Sequence, residues 1–257
     1  MTALITGASS GIGLELARIF AANRHDVVLV ARGETRLRAL AQELDAVGVR
    51  AHILLADLSD PAAPRVVVER VNQLHLEIDI LVNNAGYGLY GPFLDTSLDA
   101  ELAMIQVNIV ALTELTKRLL PPMVARKRGR ILNLASTAAF LPGPLMAVYY
   151  ATKAFVLSFS EAIANELEGT GVTVTALCPG PTASGFQAAA HLEESKLMAG
   201  KTLPAAREVA QAGYDALMRG AIVHVPGLSN KLTVQVPRLL PRTVIARVVR
   251  MAQERRR

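Results

Sequence analysis

Residues 147–153 read AVYYATK, with Tyr149 and Tyr150 shortly before Lys153. A phenol is a poor acid–base group near neutrality, because its ordinary pKa is about 10. A nearby ammonium favours the phenolate and lowers that value, so a lysine beside a tyrosine has chemical meaning. On a helix both tyrosines neighbour the lysine. Tyr149 is offset from it by about 40° and Tyr150 by about 60° the other way. Geometry gives Tyr149 a small preference and leaves Tyr150 open. The bland alternative makes both rings core filler and Lys153 a snorkelling surface residue. Upstream, Ser136 ends the apolar run ILNLAS, and the tyrosines begin the helix that follows it.

A second group of residues suits a phosphate. Gly7, Gly11 and Gly13 lie in TGASSGIG, between an apolar run and an amphipathic one. Glycine permits tight turns and close backbone approach. A helix N-terminus offers unpaired N–H groups to a pyrophosphate. The spacing differs from both the common dinucleotide fingerprint and the Gly-Lys-Ser/Thr phosphate loop. The next apolar run ends in Ala31 and Arg32, where an acid would usually hold a ribose 2′-OH. Arg32 there suits a 2′-phosphate, with Arg36 as a weaker assistant; the plain alternative is a solvated arginine. Asp57 closes the third run, to accept from an adenine amino group or to cap the turn. Asn83, Asn84, Ala85 and Gly86 close the fourth, small enough for a flat ring to approach the backbone.

These residues need a scaffold that brings several strand ends together. Apolar runs at TALIT (2–6), DVVLVA (26–31), VRAHILLADL (49–58) and IDILVNNAG (78–86) alternate with amphipathic segments. The alternation continues through a long helical segment at about 99–125, GRILNLAS, a long helix from Tyr149, VTVTALCPG, a helix at 205–220 and a short last strand, AIVHVPG. Strands alternating with helices predict βαβ units and a parallel sheet. Almost wholly apolar strands predict helices on both faces. The expectation is one α/β domain over residues 1–257, a doubly wound sheet of about seven strands. In such a sheet, ligands bind at the carboxyl ends of the strands. Two segments break the rhythm. Residues 182–204 read as a substrate loop or lid. Residues 228–257 read as a C-terminal extension: a helix closing a pocket, a dimer contact or a membrane-facing patch.

Composition narrows the classes further. Apolar residues make up 51% of the 257 residues, enough for a large core. No apolar stretch has the length of a membrane span, and the N-terminus lacks the marks of a signal peptide. The single cysteine, Cys178, permits no internal disulfide and reads as a core thiol in an apolar strand; a cytoplasmic setting is expected. The five histidines are isolated, so no metal site is expected. Much of the net charge of +5 sits in the tail QERRR, read mainly as a solvated helix end. No aromatics interleave with the basic residues, so no nucleic-acid surface is expected.

TGASSGIG, NNAG, Asn108, Ser136, Tyr149-x-x-x-Lys153 and PGPT together resemble the classical short-chain dehydrogenase/reductase family, over about residues 3–227. The resemblance implies a Rossmann-type fold and hydride transfer between NAD(P) and a carbonyl or alcohol. It implies that Tyr149 is the catalytic acid/base and that Lys153 lowers its pKa and binds ribose. Ser136 would orient the substrate oxygen, and Asn108 would anchor a proton-relay water. The implied cofactor contacts are Gly7, Ser9, Ser10, Gly11, Ile12, Gly13, Arg32, Asp57, Leu58, Asn84, Ala85, Gly86, Tyr149, Lys153, Pro179, Gly180, Thr182 and Ser184. Ala31–Arg32 resembles members that prefer NADP(H), with NAD(H) possible. Of the two hydroxyls after PGP, Ser184 is slightly favoured over Thr182 for the carboxamide. Apolar residues Phe140, Leu141, Leu145, Met146, Phe186, Leu192 and Met198, in two largely aliphatic segments, predict a hydrophobic substrate such as an acyl or steroid-like ketone. Family members pair through the helices at about 99–125 and 150–168, which implies a homodimer or homotetramer. A non-catalytic NAD(P)-binding regulator or an epimerase on the same fold is the alternative.

Overall fold

The computed structural model describes residues 1–184 and 203–254, with no side chain described at 238 and 239. Its centre is a seven-stranded parallel sheet in the order β3-β2-β1-β4-β5-β6-β7. The strands are β1 (Thr2–Thr6), β2 (Asp26–Ala31), β3 (Ala51–Leu55), β4 (Ile80–Asn83), β5 (Gly129–Leu134), β6 (Val172–Leu177) and β7 (Val223–His224). This is the expected doubly wound α/β sheet. Several strands stop short of the apolar runs that announced them. The residues past those ends, such as Asn84–Gly86 and Cys178–Gly180, form the loops that build the site.

Side-chain alternation sends each strand's residues to two cores. Ala3, Ile5, Val27 and Leu29 pack with α1 (Gly11–Ala22), α2 (Glu34–Asp45) and α7 (Ala206–Met218). Leu4, Val28, Val30 and Leu81 face α3 (Ala63–Gln73) and α5 (Leu112–Ala125) on the other side. Burial on both faces is why these strands read as unbroken apolar runs. The long fourth helical segment divides into α4 (Leu98–Ile105), a π-helical stretch (Gln106–Ala111) and α5. The π stretch holds Asn108, which is buried. A local widening of this kind is common at functional sites. α6 (Ala147–Glu166) carries both tyrosines and Lys153.

The C-terminal extension is helical. α8 (Leu228–Gln235) runs into a 3₁₀ turn (Val236–Leu239), and α9 (Arg242–Gln253) follows Pro241. Ile245 and Val249 of α9 pack on Met104, Met146, Tyr149 and Tyr150. Of the readings the sequence left open, the structure therefore shows a helix lying over the tyrosines.

Candidate active site

β1 and β4 lie side by side although they are not consecutive, so the strand order of the parallel sheet reverses between them. That switch point is where open α/β sheets bind ligands. Thr6, at the end of β1, donates to the Val82 carbonyl and accepts from the backbone N–H groups of Asn84 and Ala85, both at 3.0 Å. The Asn84 amide donates to the carbonyls of Thr6 at 2.8 Å and Gly7 at 3.3 Å. Asn84 thus fastens the glycine turn to the NNAG loop. Sequence reasoning missed Thr6, because a threonine ending an apolar run has no signal of its own.

The glycines of the turn are required by geometry. Gly7 has φ +67 and Gly11 φ +55, the left-handed region that side chains avoid. A Cβ on Gly13 would lie 2.4 Å from both the Asn84 amide nitrogen and the Gly7 carbonyl oxygen. Ser10 precedes α1 with no side-chain cap, and no acid occupies the first turn. Ser9 is half-buried and Ser10 exposed, and Ile12 lies against the first core. An uncapped helix start without negative charge fits a pyrophosphate.

At the end of β2, Arg32 is exposed and its guanidinium lies 3.6 Å from the Asp57 carboxylate. Burial raises the Asp57 pKa, but hydrogen bonds from the Ser59 N–H and hydroxyl, with the Arg32 charge, hold it below the ordinary value. Asp57 is therefore an ionised turn cap beside Arg32. Leu58 is buried with Ala63, Val107 and Ala111, beneath the surface that Asp57 presents.

The chemical group assembles between β4, β5 and α6. Lys153 is buried and donates from Nζ to the Leu134 carbonyl at 2.7 Å. This excludes the snorkelling reading. Burial pushes the Lys153 ammonium down to about 8. Asn108 donates to the Tyr87 carbonyl and to Thr152 Oγ1, both at 3.0 Å, and accepts from the Tyr87 N–H. Thr152 in turn donates to the Tyr149 carbonyl at 2.7 Å. A Cβ on Gly86 would sit 3.0 Å from Asn108 Oδ1 and 3.4 Å from Lys153 Nζ. Gly86, Asn108 and Lys153 therefore border one small space that a side chain would fill.

Ser136 caps the 3₁₀ turn Thr137–Phe140, accepting from the Ala138 N–H at 3.1 Å. Its hydroxyl donates to the Pro179 carbonyl at 3.3 Å and stands near enough to the Tyr149 phenol to favour its ionised form. The Tyr149 pKa nevertheless moves up, because burial outweighs the pull of Ser136. The expected downward shift is not found in the protein alone: Lys153 stands 5.8 Å from the Tyr149 ring centroid and does not offset the burial. Tyr150 stands differently. Its hydroxyl accepts from the Gln253 side chain, and its ring leaves no room for a Cβ at Gly143. The structure pairs Tyr149 with Ser136 and Tyr150 with the C-terminal helix.

The PGPT turn closes the group. Thr182 donates to the Gly180 carbonyl at 2.9 Å and Ser184 to the Thr182 carbonyl at 3.2 Å, so each hydroxyl is engaged within its own turn. Ser184 also lies against Gly11. Gly180 has the Asn230 amide where a Cβ would project, which brings α8 onto this turn. Cys178 is buried with its thiol pushed up to about 12 by burial, as expected of an inert core residue. Among the described residues no cluster of metal ligands occurs. Leu145 has φ +69 and its carbonyl accepts from the Gly91 N–H at 2.8 Å, tying the 141–146 loop to the segment before α4. Phe140 packs with Ala135 and Cys178, and Leu141 with the tyrosine cluster. Phe186, Leu192 and Met198, with most of the expected substrate loop, lie outside the described residues.

Known proteins resemble this chain in sequence and fold. A family model described as short chain dehydrogenase matches residues 1–195. A short chain dehydrogenase of Pseudocercospora fijiensis is 39% identical over 185 residues, 71% of this chain but only 60% of the relative's own length. A solved short-chain dehydrogenase from Sphingobium yanoikuyae in complex with NADPH is 35% identical, covers 98% of both chains and superposes with a TM-score of 0.83. A bulky-bulky ketone specific alcohol dehydrogenase from Comamonas testosteroni is 31% identical over 93% of this chain and 92% of that one, at a TM-score of 0.78. With the family model covering most of the chain and the whole fold matched, this protein belongs to the short-chain dehydrogenase family and is an oxidoreductase.

Proposed function

We propose that this chain reduces a hydrophobic ketone with NADPH, or runs the reverse oxidation of the alcohol, with Tyr149 as the general acid/base. The observation that carries the reading is the convergence of Ser136, Tyr149, Lys153 and Asn108 beside the glycine turn. The bound dinucleotide supplies the hydride; the chain supplies alignment, a proton and charge. Gly7, Gly11 and Gly13 with the uncapped start of α1 would hold the pyrophosphate, and Arg32 a 2′-phosphate. Gly86 leaves room beside Lys153 for ribose. The exposed Arg32–Asp57 pair is weak, so a phosphate competes for Arg32 at little cost.

During reduction Tyr149 donates its phenolic proton to the carbonyl oxygen. Ser136 donates a hydrogen bond to the same oxygen as negative charge develops there, which favours the transition state over the ground state. Lys153, still largely protonated near neutrality, favours the phenolate that Tyr149 leaves behind. Asn108 fixes the first turn of α6 through Thr152 and borders the space from which a proton returns to Lys153. The aliphatic 141–146 loop supports a hydrophobic substrate, as does likeness to the bulky-bulky ketone specific alcohol dehydrogenase. A panel of carbonyl compounds with NADPH or NADH tests the reading. Turnover of aromatic or long aliphatic ketones with NADPH is expected. Turnover confined to small charged substrates, or NADPH binding with no turnover of any carbonyl, would contradict it.

A further inference from the structure

The C-terminal extension has an outer face that the reductase reading does not use. On α9 the inner face is Ile245, Val249 and Gln253, four residues apart, seated on the tyrosine cluster and buried. Val244, Val248 and Met251 recur at four and three residues on the other side, within about 60° of one another, and all are exposed. The same spacing runs through α8 into the following turn, where Leu228 is 75% exposed, Leu232 61% and Val236 52%. Two successive helices therefore each present an aliphatic stripe to solvent, an arrangement that marks an interaction site more often than chance exposure.

The charge around these stripes is mostly positive. Between Asp215 and Glu254 the sequence holds Arg219, Lys231, Arg238, Arg242, Arg247 and Arg250 and no Asp or Glu. Lys231, Arg242 and Arg247 make no ion pair among the described residues, and Arg250 meets only Glu254, at 3.7 Å. A two-fold contact between copies through this face would set like charges against each other. Exposed aliphatic residues flanked by unpaired cations suit a surface that is apolar beneath and anionic above.

We propose that the α8–α9 face docks on an anionic lipid bilayer, with Val244, Val248 and Met251 entering the headgroup boundary and Arg247 and Arg250 meeting lipid phosphates. No helix among the described residues is long and apolar enough to cross a membrane, so the contact is peripheral. Docking would set the outer face of α9 in lipid while its inner face rests on Tyr149 and Tyr150.

The test is co-sedimentation of the full-length protein with vesicles of phosphatidylcholine containing about 30% phosphatidylglycerol, with pure phosphatidylcholine vesicles beside them. Pelleting with the anionic vesicles is expected, with release at high salt. Replacing Val244, Val248 and Met251 together by Ser should weaken binding at least tenfold. Arg247→Gln should weaken it by roughly fivefold. Both variants should keep the wild-type unfolding temperature and solution mass, because every substituted side chain is exposed. No pelleting with anionic vesicles at low salt would overturn the proposal, as would pelleting that neither variant alters. A vesicle-free dimer that the triple substitution splits would also overturn it, by assigning the face to a second copy.

Discussion

Lys153 carries the clearest pH signature in the molecule. Burial lowers its pKa to about 8 in the folded protein, whereas an unfolded lysine keeps its proton to about 10.4. Below pH 8 both states are protonated and stability does not change through this group. Between the two values the unfolded chain binds more protons, so stability rises with pH. Above about 10 the raised Tyr149 pKa works the other way, since the folded phenol keeps a proton that the unfolded one loses. Thermal unfolding from pH 7 to 10 should therefore show the wild type gaining on Lys153→Met above pH 8. A constant difference would contradict the burial assigned to Lys153. Arg32 gives a second prediction at this scale. Charge-assisted bonds to a 2′-phosphate are worth about 1.5–3 kcal/mol, so Arg32→Ala should weaken NADPH roughly ten- to hundredfold. NADH affinity should barely move; equal losses for both, read by fluorescence titration, would remove the specificity role. The sequence already singled out Lys153, Arg32 and Ser136 by type and position. It could not single out Thr6 and Thr152, whose importance comes from partners brought near by the sheet.

Elements fix the site through close approaches that leave no slack. Gly13→Ala would drive a Cβ into the Asn84 amide and the Gly7 carbonyl. It should cost about 1–3 kcal/mol in a urea titration, the usual range for overpacking, and weaken dinucleotide binding with it. Wild-type stability and affinity would show that the turn relaxes freely. At the other end, Gln253 ties α9 to α6: its side chain donates to Tyr150, and its backbone carbonyl accepts from the Tyr90 hydroxyl at 2.6 Å. Gln253→Leu removes a partner from a buried hydroxyl and should cost about 1–3 kcal/mol. Unchanged stability would mean α9 is not fastened there. Most described helices and strands up to residue 227 were legible, the helices by a 3.6-residue period and the strands as short, almost wholly apolar runs. The π stretch was not, since Gln106–Ala111 has ordinary helical composition. The partners of the C-terminal helices were open too, because VIARVVRM has apolar residues on both faces and periodicity cannot say which one is buried.

Across the whole molecule, the parallel order of seven strands places the ends of β1, β2, β4, β5 and β6 along one edge. Each loop leaving that edge carries part of the proposed site: the glycine turn, Arg32, Asn84–Gly86, Ser136 and Pro179–Ser184. The parallel sheet was inferable because apolar strands joined by helices call for crossover connections; its strand order was not. What the sequence left even was the choice between the adjacent tyrosines, since a helix turn puts both near Lys153. The fold separates them, giving Tyr149 to Ser136 and Tyr150 to Gln253. General acid–base catalysis contributes typically 10²–10⁴-fold, so the loss of Tyr149 should be unmistakable. The most direct measurement is NADPH oxidation with a ketone substrate by wild type, Tyr149→Phe and Tyr150→Phe, each first shown to bind NADPH. Tyr149→Phe should lose at least about a hundredfold in kcat, while Tyr150→Phe keeps most of it. Full activity in Tyr149→Phe, or loss confined to Tyr150→Phe, would contradict the assignment of Tyr149 as the proton donor.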